Sequence, residues 1–151
     1  MNEYCDASFL LSAYLVREST EQALQTLAAL ADPRIPVSSL LLLELENAIR
    51  LGAFRMTHGG ENGVPTQVAE AALARLEGDF DDGRLVLIDV DLTRVTQRAR
   101  TISNARSWAG GYRTMDILHV ATALTLEIPR FLTFDLLQRE LAAAEGLDVT
   151  F

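Results

Sequence analysis

Short β-rich apolar runs recur along this chain, and each is followed by a stretch with helical spacing. The clearest run is LVLIDV at 85–90, set off by Asp82-Gly83 before it and Asp91 after it. Weaker runs occupy 1–5, 35–38, 130–133 and 147–151. Between them the spacing of apolar residues predicts helices over 8–17, from Ser19 or Thr20 to 31, and over 40–54, 65–79, 92–107, 114–127 and 135–145. Pro33, Pro65, Pro129 and Gly146 punctuate these segments, while Gly59, Gly60 and Gly63 mark a loop over 55–64 and Gly110-Gly111 another over 108–113. Strands that alternate with helices cannot pair by tight hairpins. They imply an α/β fold with a mainly parallel sheet of five strands, flanked by helices on both faces.

Composition narrows the chemistry. A chain of 151 residues with 49% hydrophobic and 23% charged residues suits one domain with a sizeable core. The formal charge of −8 excludes a generally basic surface that coats nucleic acid, and leaves room for a local basic patch. All 13 basic residues are arginines. With no lysine there is no Schiff-base catalysis, no phosphate-loop lysine and no Ser–Lys dyad. The single cysteine, Cys5, has no internal partner for a disulfide. No leader or membrane-spanning run is read, so the expected setting is the cytoplasm, away from membranes.

In an open parallel sheet, ligand sites form beyond the carboxyl ends of the strands. Asp6 follows the first predicted strand, with Ser8 two residues on. Glu44 follows the second, inside the helix of VSSLLLLELENAI. Asp116 lies in the first turn of the helix in RTMDILHVATAL, and Asp135 follows FLTF. Singly, Asp6, Asp116 and Asp135 read equally well as helix-cap acids. Glu44 does not, because it interrupts an apolar run where leucine would pack; Glu46 is the solvated member of that pair. Four carboxylates converging would raise one another's pKa values, and a hard divalent ion with oxygen ligands, Mg²⁺ or Mn²⁺, resolves that repulsion. On this reading, neutralising Asp116 should stabilise the protein when no ion is bound.

The stretches CDASFLLSAYL, VSSLLLLELENAI, RTMDILHVATAL and FLTFD, in this order over nearly the whole chain, resemble the PIN-domain ribonucleases, especially the VapC-type toxins of VapBC toxin–antitoxin pairs. The resemblance implies one PIN-like domain over 1–151 and makes Asp6, Glu44, Asp116 and Asp135 the catalytic and metal-binding acids, with Ser8 and Thr133 as supporting hydroxyls. It also implies a Mg²⁺- or Mn²⁺-dependent endoribonuclease with an RNA substrate, a cognate antitoxin as partner, and a homodimer. Leu11, Tyr14 and Leu15 are a candidate patch for that dimer. Alternatives are a housekeeping RNA-processing or DNA-acting nuclease, and an interaction module with a vestigial acid pocket.

Of the arginines nearest the expected mouth, which are Arg50, Arg55, Arg106 and Arg113, the candidates for contact with RNA are Arg113 and Arg50. Trp108 and Tyr112 either stack on RNA or anchor a loop. His119, one turn beyond Asp116, reads as a packed histidine near the site. His58 reads as exposed, Cys5 as a small strand residue, and Asp89 and Asp91 as a cap and a surface charge.

Overall fold

In a computed structural model, residues 1–150 are described. They form β1 (Glu3–Cys5), α1 (Ala7–Tyr14), α2 (Thr20–Ala28), β2 (Ile35–Ser38), α3 (Ser39–Thr57), α4 (Thr66–Asp81), β3 (Leu85–Ile88), α5 (Leu92–Gly110), α6 (Thr114–Thr125), β4 (Arg130–Leu132) and α7 (Leu136–Ala144). The alternation expected from the sequence is present, and every pairing is parallel. β1 pairs with β4, in the register Tyr4 to Phe131, and β2 pairs with β3, in the register Val37 to Leu87.

β1 and β2 run side by side between the two pairs without forming a ladder. Pro36 supplies a reason. The Ile35 backbone N–H donates to the Arg84 carbonyl, so alternate residues of β2 serve β3 and Pro36 faces β1, where it has no N–H to offer. The expected fifth strand at 147–151 reduces, among the described residues, to one parallel bridge between Asp148 and Arg130. Its bonds to Pro129 and Phe131 hold it to β4, and Phe151 lies outside the described residues.

Two loops begin later than the glycines predict. α3 continues to Thr57, and α5 runs on through Trp108 to Gly110, ending at Gly111, whose φ of 64° is the left-handed conformation that a glycine cap adopts without strain. Trp108 therefore projects from a helix, 94% exposed, and anchors nothing. Tyr112 is the aromatic residue that packs against the core.

The core joins β1, β2 and β4 to the buried faces of α1, α3 and α6. α6 is buried on nearly all sides, through Ile117, Val120, Ala121 and Ala123. The expected dimer patch is corrected here. Tyr14 and Leu15 are buried, because the face of α1 read as open carries the contact with α3 and α4. Exposed large apolar residues instead include Leu43 on α3, Leu87 on β3 and Leu92 on α5. The most apolar run of the sequence is thus a half-open edge strand. No helix among the described residues is long and apolar enough to cross a membrane.

Candidate active site

Asp6 occupies the position just past β1. Its backbone N–H donates to the Leu132 carbonyl and continues the β1–β4 register by one residue, so the carboxylate is delivered at the strand's C-terminal end. The side chain caps α1, with Oδ1 accepting the Phe9 backbone N–H at 2.8 Å. Ser8 Oγ donates toward both carboxylate oxygens, at 2.8 and 2.9 Å, and Thr133 Oγ1 donates to Oδ2 at 2.7 Å. Both supporting hydroxyls named from the sequence therefore reach Asp6. Thr133 Oγ1 also accepts the Asp135 backbone N–H at 3.0 Å, which ties the end of β1 to the start of α7. A stack of Phe9 on Phe134, with centroids 5.2 Å apart, braces the same junction.

Only neutral groups bond to this carboxylate, and it is 2% exposed. Burial pushes its pKa up from 3.8 to about 6, against the lowering effect of the Phe9 N–H and the Thr133 hydroxyl. An ionised Asp6 is a buried charge without a cation of its own.

The other three acids reach the same cleft by different routes. A space of about 240 Å³ is lined by Asp6, Ser8, Glu44, Asp116 and Asp135, together with Arg113, His119 and Gln138. Asp135 is the N-cap of α7 and accepts the Gln138 backbone N–H at 3.0 Å. Asp116, in the first turn of α6, accepts the Arg113 backbone N–H at 3.1 Å. So the cap readings of Asp6 and Asp135, and the first-turn reading of Asp116, describe the same carboxylates that line the cleft. A cap uses one lone pair and leaves others to face the opening.

Arg113 brings a positive charge to the cleft. Its guanidinium donates to both oxygens of Asp116, at 3.0 and 3.2 Å, and to Asp135 at 2.7 Å. The bond to Asp116, then its charge, stabilises the guanidinium further. Glu44 is engaged differently. Its Oε2 makes a short contact with His119 Nε2, and His119 Nδ1 lies 2.9 Å from the Tyr4 hydroxyl. Burial raises the Tyr4 pKa well above its ordinary value, which keeps the phenol a donor. The arrangement that satisfies all three is Tyr4 O–H to Nδ1, with Nε2–H donating to Glu44. His119 is 2% exposed and positions Glu44. Its placement three residues after Asp116, on the same helical face, was the sequence signal for that role.

Arg50, by contrast, is not in the cleft; it pairs with Glu46 at 2.8 Å on the exposed face of α3. Six residues at about 100° each carry it roughly 240° around the helix from Glu44, whereas Ala48, one turn on, does line the cleft. Gln138 is a residue the sequence reasoning missed. It is buried beside Thr133, and its amide lies 3.4 Å from the Asp116 carbonyl. Its position three residues into the helix capped by Asp135 was the available clue.

Among the described residues, no three of His, Cys, Asp and Glu stand ready as a metal cage. Asp116 and Asp135 are turned to Arg113, and Glu44 to His119. The donor chemistry nonetheless suits a hard divalent cation: four carboxylates, two hydroxyls, and in Asp6 a buried charge with no counter-ion. Holding an ion there requires Arg113 to give up its place, which its 68% exposed side chain can do.

A parallel α/β sheet with four carboxylates gathered past its strand ends defines an acid-site α/β protein of the nuclease-like kind. The chain belongs to the PIN domain family, whose model matches residues 4–144. A search among curated proteins finds no match to the chain. Among solved structures it is similar to Mycobacterium tuberculosis VapC20, a toxin that cleaves the sarcin–ricin loop, with TM-score 0.65 and 18% identity over 99% of each chain. It is also similar to FitAcB from Neisseria gonorrhoeae, with TM-score 0.66 and 16% identity over 99% of this chain and 96% of that one. At such identities the likeness is one of fold.

Proposed function

We propose that this protein is a Mg²⁺- or Mn²⁺-dependent endoribonuclease and the toxin of a toxin–antitoxin pair. Asp6, Glu44, Asp116 and Asp135 would be its metal-binding catalytic carboxylates. The observation that carries the reading is the convergence of these four acids, from four separate segments, on one cleft in a PIN domain. That VapC20 cleaves the sarcin–ricin loop supports RNA as the substrate class.

Bound to these acids, a divalent ion supplies an activated water and neutralises charge on the phosphodiester. The chain's own residues prepare that chemistry. Ser8 and Thr133 fix the orientation of Asp6 through their hydroxyls. Tyr4, acting through His119, holds Glu44 against the cleft. Arg113 relinquishes Asp116 and Asp135 and becomes free to meet a phosphate, for which its planar fork is suited. No protein nucleophile is required. A cognate antitoxin is the proposed inhibitor. A second copy of the chain is the proposed partner at the exposed Leu43 and Leu92, which flank one shallow depression.

Purified protein incubated with RNA tests the reading. Cleavage with Mg²⁺ or Mn²⁺, abolished by EDTA and by Asp6→Asn, is the expected result; undiminished cleavage in excess EDTA overturns it.

A further inference from the structure

The largest cleft bordering the acid site is lined by Arg17, a cation with no ion pair among the described residues. It encloses about 590 Å³, is lined by Arg17, Glu18, Asn62 and Val64, and shares Ser8 and Asp135 with the acid cleft as a common wall. Gly63 lets the loop that forms one side approach α3 closely, since a Cβ there would sit 2.5 Å from the Met56 nitrogen. Arg17 is held in the α1–α2 turn, where its backbone N–H donates to Thr20 Oγ1 at 2.8 Å and that hydroxyl donates to the Leu15 carbonyl.

Arg34, Arg50, Arg84, Arg106, Arg113 and Arg130 all have a carboxylate partner. Among the described residues, Arg17, Arg55, Arg75, Arg94, Arg98 and Arg100 have no ion pair, and of these Arg17 lines this cleft. The Arg17 Nε is buried without any hydrogen-bond partner, although guanidinium N–H groups are rarely left so. Burial, and then the nearby charge of Arg55, work against the protonated form of Arg17. Arg17 lines the open cleft, and Arg55, outside its lining, is near enough to repel it; an anion in the cleft relieves that repulsion. Glu18 at the rim is exposed and makes no ion pair with either.

We propose that Arg17 and Arg55 form a phosphate-binding subsite that holds the RNA strand next to the bond being cut. This rests on the nuclease reading and deepens it. The two clefts share Ser8 and Asp135 as a wall, so an RNA strand with one phosphate at the acid cleft can continue past them into the cleft that Arg17 lines. An acidic protein segment has no comparable reason to continue from the carboxylate site.

The test is fluorescence anisotropy with a labelled single-stranded RNA of random sequence, in EDTA, over a range of salt. Four proteins are compared: wild type, R17Q/R55Q, R17K/R55K, and R94Q/R98Q as a control on α5. Loss of two phosphate contacts should lower the slope of log affinity against log salt by about 1.4 and weaken binding about tenfold at moderate salt. R17K/R55K should keep most of the slope and the control all of it, with thermal unfolding showing each variant folded. Unchanged affinity and slope in a folded R17Q/R55Q overturns the subsite, while Mg²⁺-dependent cleavage by wild type would leave the nuclease reading standing. Weakened binding of polyglutamate alone, with RNA unaffected, overturns it in favour of an acidic protein partner. A wild type that neither binds nor cleaves RNA overturns both.

Discussion

Asp6 and Asp116 line one cleft, and both are nearly inaccessible to solvent, at 2% and 5% exposure. Asp116 is met by a bidentate guanidinium; Asp6 is met by a backbone amide and two hydroxyls. The first charge is balanced within the chain and the second is not, and burial pushes the pKa of Asp6 up to about 6. Burial alone therefore does not mark the strained acid of this site. What marks it is burial without a counter-charge. The expectation that neutralising Asp116 would relieve repulsion is accordingly corrected, because Arg113 already relieves it. The member carrying the cost is Asp6.

The largest expected effect is on activity and stability together. Asp6→Asn should reduce metal-dependent RNA cleavage to background, read on a labelled transcript. The same substitution should stabilise the protein in EDTA at neutral pH. A rise from 3.8 to about 6 corresponds to about 3 kcal/mol at most. Because asparagine serves the Ser8 and Thr133 hydroxyls less well, the net gain expected in urea unfolding is about 1–2 kcal/mol. Asp116→Asn should go the other way, losing about 1 kcal/mol, since it breaks an ion pair whose arginine is largely solvated. Equal effects of the two substitutions would erase the contrast between them.

The pH dependence sharpens it. Native Asp6 binds its proton more tightly than the unfolded chain does, so its contribution lowers stability as pH rises from about 4 to about 6. Wild type in EDTA should show that declining component and Asp6→Asn should lack it, with difference curves from urea titrations as the measurement. A smaller effect attends Arg113→Gln. Removing the competitor for Asp116 and Asp135 should tighten Mn²⁺ binding several-fold in calorimetry, a change of about 1 kcal/mol, while weakening the hold on RNA. Smallest is Arg50→Gln. Its surface pair with Glu46 is worth within about 0.5 kcal/mol, and cleavage should be unaltered.

The order of elements and the four acids could be read from the sequence for identifiable reasons. Apolar runs bounded by Pro and Gly mark where strands and helices begin, and an acid placed just past a strand in an α/β chain falls at the end of the sheet where sites form. Glu44 was legible because a carboxylate inside LLLLELE has no packing role. The supporting Ser8 and Thr133 were legible only through the family resemblance, and the hydrogen bonds to Asp6 agree with them. Helix ends were read short at α3 and α5, since glycines tolerated in a last turn look the same as glycines that end it.

By itself, then, the sequence determined the α/β alternation, the parallel connectivity and which acids line one cleft, because each follows from local spacing and from where a strand must end. Tertiary structure alone decided which arginine faces them. Arg50 and Arg113 are equally plausible in the string, but rotation about α3 turns Arg50 to solvent, while the α6 N-terminus aims Arg113 at two carboxylates that are 19 residues apart in sequence. It also decided that Tyr14 and Leu15 are core and Leu43 and Leu92 surface, that His119 joins Tyr4 to Glu44, and that Arg17 is left without a counter-ion. Charge balance and burial are sums over neighbours brought together from distant segments, and local sequence carries no term for them.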